Sequence, residues 1–388
     1  MIAEPRSGTM IYYDNASTSF PKPEAVYQAI ENTLRKGGNA GRGSSVIAAD
    51  GTRLLQETRA HLAAFFGVTD PSRIVYAFNA TDALNMAFKG VLNPGDHVVT
   101  TEIEHNSVLR PLNGMAATGY ISLTIVPAKT EGLVEPADIR DAIRPETCLV
   151  AVAHASNVLG TVQPVAAIAE ICRERSIPLL VDAAQSAGEY ALDVEKTGID
   201  MLAFPGHKGL LGPQGTGGLY VREGITIRPW REGGTGTQSE LLLQPGQFPA
   251  RLEAGTQNLP GIAGLAAGLA FLRKKTVEDV RSHYLKQVNR IVDALGGDDR
   301  FRIFGPVDPG RRVNVLSLII KRMDPVETGM ILDQRYGISI RAGLHCASLI
   351  HKRIGTLPTG TVRLSPGIFT TDEETEQVIA ALKEIAAS

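Results

Sequence analysis

The 388-residue chain is longer than one ordinary domain and suggests two or three units with sizeable cores. Its 43% hydrophobic and 21% charged residues, with a formal net charge of −2, describe a soluble globular protein and exclude the cationic surplus of a nucleic-acid binder. No apolar run reaches membrane-spanning length, and the opening MIAEPRSGTM lacks the basic start and apolar middle of a signal peptide, so a cytoplasmic protein without a membrane partner is expected.

Residues 1–20, which run into the irregular turn YYDNASTSFPKP, are expected to pack on a small domain formed by the far end of the chain. From residue 73 apolar strand-length runs alternate with helix-period segments: RIVYAF then NATDALNMAFKGVL, DHVVTTEI then HNSVLRPLNGMAA, ISLTIVPA then EPADIRDAI, CLVAVAHA then VAAIAEICRERS, and IPLLVDAA. MLAFPG and GGLYVRE add two more strands. This alternation predicts an α/β fold, a mostly parallel sheet covered by helices on both faces. The stretch 229–259, rich in Gly, Pro and Gln, is the least regular, and a loop of that length is a functional or mobile feature. Beyond it come two long helical segments, GIAGLAAGLAFLRKK and VEDVRSHYLKQVNRIVDALGG, the strands FRIFG, VNVLSLII and TVRLSPG, and the helix DEETEQVIAALKEIAA. A large domain over 21–259 and a smaller α+β domain over 260–388 are the expected division.

Ligands of open α/β sheets bind beyond the carboxyl ends of the strands, and several polar residues fall there. Asn79, Ala80 and Thr81 open a helix whose first turn either receives a phosphate or is simply capped by side chains. His105, after the strand DHVVTTEI, can cap, coordinate or stack, and without a second histidine at ligand spacing a metal is not expected. Asp182, after IPLLV, is either a helix cap or an anion placed for a protonated ring nitrogen. Lys208 leaves the strand MLAF in FPGHKGLLGPQGTGG, where glycines are expected to clear space for a bound group. An amine beside an anion-binding helix start, an aspartate and a flat imidazole points to an aldehyde-bearing phosphate ring, pyridoxal 5'-phosphate.

The set NATDALN, EHNSVL, ASNVLGT, VDAAQS, PGHKGLLGPQGTG, EAGTQN and RAGLHCA, in this order over nearly the whole chain, resembles the class V aminotransferase family and within it the cysteine desulfurase and selenocysteine lyase branch. The resemblance implies the fold type I of pyridoxal phosphate enzymes. It also implies that Lys208 holds the cofactor aldehyde with His207 beside it, that His105 stacks on the ring, that Asp182 pairs with its nitrogen and that Gln185 bonds its phenolic oxygen. Thr81 and the Ala80 backbone would take the phosphate, and Thr256 would reach the phosphate of a neighbouring subunit, which implies a homodimer with shared active sites. Asn157 and Arg363 would hold the substrate carboxylate, with Arg341 close by. Many relatives carry a hydroxyl residue two places before the lysine. Here that position is Pro205, which offers neither hydroxyl nor N–H and throws phosphate binding onto Thr81, Thr256 and the backbone.

The three cysteines are odd in number and lack metal-type pairing, so neither a disulfide framework nor a zinc site is expected. Cys148, in a strand, and Cys172, on the apolar side of a helix, read as small core residues. Cys346 lies in RAGLHCAS, with Arg341 and His345 as basic neighbours that favour a thiolate and with a glycine that argues against a regular element. The resulting expectation is a cysteine desulfurase that converts L-cysteine to L-alanine, with the sulfur left as a persulfide on Cys346. The short segment from Cys346 to the strand with Arg363 resembles group II desulfurases, so handover to an acceptor protein or small thiol is expected. The alternatives are a selenocysteine lyase or cysteine sulfinate desulfinase, a class V aminotransferase that makes no use of Cys346, and a non-catalytic carrier.

Overall fold

Seven strands lie side by side in one sheet, in the order Ile74–Ala77, Gly217–Val221, Met201–Pro205, Leu179–Asp182, Thr147–Ala153, His97–Thr101 and Ser122–Val126. The computed structural model describes residues 10–37, 40, 45–306 and 308–388; the first nine residues, which opened the expected N-terminal segment, lie outside them. The last five strands of that order run parallel, whereas Gly217–Val221 is antiparallel to both of its neighbours. The connection 206–216 is too short to carry a crossover, so the chain turns back on itself there.

Both faces of this sheet are covered, which is why its strands read as unbroken apolar runs. Side-chain alternation sends Leu149, Leu180 and Met201 to one face, against Leu84 and Phe88 of the helix Ala80–Val91 and Leu112 of Asn106–Ala117. Val150, Val181 and Leu202 face the other way, against Phe66 of Val46–Phe66, Ile168 of Val165–Glu174 and Leu265 of Leu259–Lys275.

The second sheet is antiparallel, in the order Arg341–Gly343, Thr361–Leu364, Leu316–Ile320 and Phe301–Phe304, and closes on Val288, Ile291, Leu332, Val378 and Leu382. Ile11–Tyr12 pairs in parallel with Ile338–Ser339, and the Tyr13 hydroxyl lies 2.6 Å from Thr375 Oγ1, so the described part of the N-terminal segment joins this smaller core. The helix Leu259–Lys275, assigned by its position to the small domain, instead buries Leu265, Leu269 and Leu272 in the core of the large sheet. Its apolar face matches the sheet's outer surface, and the change of core comes inside the next helix, Val277–Leu295: Val280 and Tyr284 belong to the large core, Val288 and Ile291 to the small one.

One further element departs from the sequence reading. Arg341–Gly343 is a short strand despite its glycine, because Arg341, Ala342 and Gly343 pair with Arg363, Val362 and Thr361. The 229–259 stretch has no helix or strand among its residues before Leu259, yet its Glu253 forms a buried bidentate pair with Arg59 at 2.7 and 3.0 Å. No helix among the described residues is long and apolar enough to cross a membrane.

Candidate active site

Register brings the polar residues together. Asp182, the last residue of its strand, sits between Ala153 and Ala203, and Pro205 opposes Gly217 where the Lys208 loop leaves the sheet. Around these strand ends lies a cavity of about 300 Å³, lined among others by Ala80, Thr81, His105, Asn157, Asp182, Gln185, His207, Lys208 and Arg341. Nine of the expected site residues therefore converge on one space. Three do not line it. Arg363 is completely buried behind the Ser17–Asn157 wall, Cys346 approaches through Arg341, and Thr256 lines a separate recess with Tyr76, Gly217 and Arg231.

The anion-binding corner is built by the helix Ala80–Val91. Asn79 caps it, its Oδ1 accepting from Asp82 N at 2.9 Å and its carbonyl from Ala83 N, which leaves the amides of Ala80 and Thr81 without an acceptor among the described residues. Thr81 Oγ1 lies 2.7 Å from Ser107 Oγ, which is 2.8 Å from His105 Nδ1. Ser107, unremarked in the sequence, thus supplies a second hydroxyl in a cavity whose wall at Pro205 has none. His105 Nδ1 also accepts from the Ser107 amide at 3.0 Å, which puts the ring proton on Nε2. Burial, with Lys208 and Arg341 adding repulsion, pushes His105 down to about 4; burial and Lys208 do the same to His207. Both rings are neutral near pH 7.

Asp182 is buried, and burial raises its carboxyl above the ordinary range although Ala184 N donates to Oδ1 at 2.9 Å. No basic side chain lies within ion-pair distance of it among the described residues. Lys208 faces the same cavity with no hydrogen-bond partner for its amine among those residues, and burial, reinforced by Arg363, lowers it to about 8. Gln185 holds Ala16 O at 3.1 Å. The peptide carrying Lys208 is gripped from the N-terminal segment: Ser19 N, Thr18 Oγ1 and Lys22 Nζ donate to His207 O at 3.1, 3.1 and 2.9 Å, and Ser19 Oγ donates to Lys208 O at 3.0 Å.

The glycines of this loop serve packing instead of clearing the cavity. A Cβ on Gly206 would meet Thr216 Oγ1 at 2.2 Å, one on Gly209 the Ala187 carbonyl oxygen at 2.4 Å, and one on Gly212 the Gly206 carbonyl oxygen at 2.9 Å. They allow the loop to lie against its own strands and the turn after Asp182, which in turn fixes where Lys208 points.

Cys346 sits in a turn with His345 at φ +48° and Cys346 at +59°, a left-handed conformation that costs about 1–3 kcal/mol per non-glycine residue. Hydrogen bonds hold it: Asn157 Nδ2 donates to His345 O at 2.6 Å and Asn106 N to Cys346 O at 2.7 Å. Arg341 Nη2 reaches Cys346 Sγ at 3.3 Å, so one of the two expected basic neighbours does meet the thiol. His345 does not. Its Nε2 turns to Thr361, 3.1 Å from the carbonyl and 3.0 Å from the hydroxyl, and burial holds the ring well below its ordinary pKa and neutral. Burial pushes the Cys148 and Cys172 thiols up to about 12, leaving neither as a ready thiolate. Among the described residues no cluster of His, Cys, Asp and Glu is arranged for a metal ion.

Comparison with known proteins identifies the family. Residues 11–378 match the aminotransferase class-V family. A probable cysteine desulfurase of Methanothermobacter thermautotrophicus is 36% identical over 97% of this chain and 94% of its own, and a cysteine desulfurase of Dickeya dadantii is 31% identical over 98% and 93%. The apo cysteine desulfurase of Thermococcus onnurineus superposes with a TM-score of 0.92 at 32% identity, covering 97% of this chain and 95% of that one. The family's cofactor is pyridoxal phosphate, and the donor set here fits it: a free lysine amine, an unpaired buried carboxylate, a neutral imidazole and a helix start with open amides around one cavity. The chain belongs to the class-V aminotransferase family, in its cysteine desulfurase branch.

Proposed function

We propose that the protein is a pyridoxal phosphate-dependent cysteine desulfurase whose sulfur acceptor is Cys346. The observation that carries this reading is the contact of Arg341 with Cys346 Sγ at 3.3 Å, on a turn pinned to both His105's helix and Asn157, at the edge of the Lys208 cavity. The guanidinium orients the sulfur and offers it a charge-assisted donor. When bound, the cofactor supplies an electron sink for the pair left at the amino acid Cα. Lys208 would hold it by its aldehyde, Ala80 N and the Thr81 and Ser107 hydroxyls would take the phosphate, Asp182 the ring nitrogen, Gln185 the phenolic oxygen and neutral His105 the ring face.

The substrate carboxylate would be met by Asn157 and Arg363. Lys208 would then remove the Cα proton; as a neutral amine with its charge disfavoured by burial, it has a basicity suited to that task. The Cys346 thiolate then attacks the substrate sulfur. The S–S bond would form as the Cβ–S bond breaks, the electron pair of that bond going to Cβ; a proton taken up at Cβ and the return of a proton to Cα would complete alanine. The persulfide on Cys346 is discharged by an acceptor protein or small thiol, because the segment from Cys346 to Arg363 is short and folded into the helix Ser348–Ile354 and the strand Thr361–Leu364.

A homodimer is part of the proposal. Its support is Thr256, which lines a recess separate from its own chain's Lys208 cavity and would serve the phosphate of a neighbouring subunit. A cytoplasmic location fits this chemistry. The proposed domain division places Leu259–Lys275 with the large sheet and begins the smaller core within Val277–Leu295, with Ala347, Ile350 and Ile354 packing back into the large core.

The test is alanine release from L-cysteine with a reductant present. Turnover to alanine is expected; amino transfer to pyruvate with no alanine from cysteine alone would replace the desulfurase with an aminotransferase. The lysine also sets a pH dependence. Its charged form is disfavoured in the folded chain, so the neutral amine dominates above about 8 and is lost as pH falls below it. Capture of pyridoxal phosphate by cofactor-free protein is expected to slow about tenfold per pH unit below 8 and to level off above, a profile read from stopped-flow absorbance. A flat profile from pH 6 to 9 would remove the assignment.

A further inference from the structure

Arg363 is wholly enclosed, and the protein's own groups already claim the part of its guanidinium that a carboxylate would use. Nη2 donates to Asp14 Oδ1 and to Ser17 Oγ at 2.8 Å each, Nη1 donates to Asn157 O at 3.1 Å, and Nε is buried with no acceptor among the described residues. A carboxylate binds arginine best through two parallel N–H groups. Both such forks, Nη1–Nη2 and Nε–Nη2, include Nη2, and both of its hydrogens are committed. No fork is open.

Asp14 is set firmly into that position. It forms a bridge with Ser365, the following residues Asn15 and Ala16 donate their amides to Ser365 O and Oγ, and Ser17 Oγ lies 2.8 Å from Asp14 Oδ1. Ser17 also lines the cavity and lies 3.5 Å from Arg341 Nη1, so this turn stands between Arg363 and the space where an amino acid would enter. We propose that Asp14 is a built-in occupant of the Arg363 guanidinium, one that the substrate's α-carboxylate must displace or share, and that this competition sets the affinity of the site for amino acids. The inference rests on the reading of Arg363 as the arginine that meets the substrate carboxylate. Asp14 acts through Arg363 and is a positioning residue.

The test titrates the cofactor-loaded protein with L-alanine, which has the α-carboxylate but no sulfur, and with cysteamine, which has an amine and thiol but no carboxylate. Absorbance of the cofactor reports both. Asp14→Asn keeps the shape and removes the competing charge, so L-alanine is expected to bind about three- to tenfold more tightly while cysteamine binding stays unchanged. Ser17→Ala, which frees one Nη2 hydrogen and leaves the charge, is expected to tighten L-alanine by a smaller factor and serves if Asp14→Asn fails to fold. Alanine affinity that is equal or weaker in the folded variant, or a parallel change for cysteamine, would overturn the proposal. Alanine binding needs no sulfur chemistry, so failure of the desulfurase reading would show separately, as absence of alanine release from cysteine.

Discussion

Lys208→Ala is expected to fold, to bind pyridoxal phosphate only non-covalently, and to lose about 10³- to 10⁴-fold in alanine release from L-cysteine. The loss has two sources in one amine. Lys208 is the group that would hold the aldehyde, and the same amine, neutral above about 8, faces the cavity from the loop that follows Met201–Pro205. The nearby Lys22 cannot replace it, since its Nζ is spent on Ser19 Oγ at 2.7 Å and His207 O at 2.9 Å. Folding should survive because the loop's place is fixed by other atoms: its glycines abut Thr216, Ala187 and Gly206, and its carbonyls are held by Thr18, Ser19 and Lys22. Borohydride reduction followed by peptide mapping checks the first point, with cofactor on the Lys208 peptide in wild type and on no lysine in the variant.

Cys346→Ala separates sulfur transfer from the rest of the site. Removing a nucleophile while leaving the other groups intact costs about a hundredfold or more, and that loss is expected for L-cysteine. The cofactor spectrum and the binding of L-alanine should not change, because Cys346 does not line the 300 Å³ cavity and its turn is held by backbone carbonyls that alanine retains. Substrates whose leaving group departs without a thiol, selenocysteine and cysteine sulfinate, should lose much less. Equal loss for all three would mean that the variant damages the site and not only the sulfur step.

Much of this was readable in the chain. The parallel strands announced themselves as continuous apolar runs because both sheet faces are buried, and Asp182, His105 and Lys208 stood out as polar residues at their carboxyl ends. What failed to show was what depends on direction or on distant partners. His345 is adjacent to Cys346 in sequence, but a left-handed backbone turns its ring to Thr361. The glycines around Lys208 were read as clearing space for a bound group, whereas the atoms they approach belong to the protein itself. The turn Asp14–Ser17 has no periodicity to reveal it, and its meaning lies in Arg363 and Ser365, hundreds of residues away. The long helix Val46–Phe66 also went unread. It contains Gly51, a residue that argues against helix locally and that here lies close to Leu259.

The central claim is that sulfur passes to Cys346. It is tested most directly by mixing the cofactor-loaded protein with L-cysteine without reductant, alkylating, and mapping the peptides by mass spectrometry. The account predicts one added sulfur on the peptide carrying Cys346, removed by a thiol reductant and matched by one equivalent of alanine. Sulfur on the Cys148 or Cys172 peptide, or alanine formed with no sulfur added to any of the three, would contradict it.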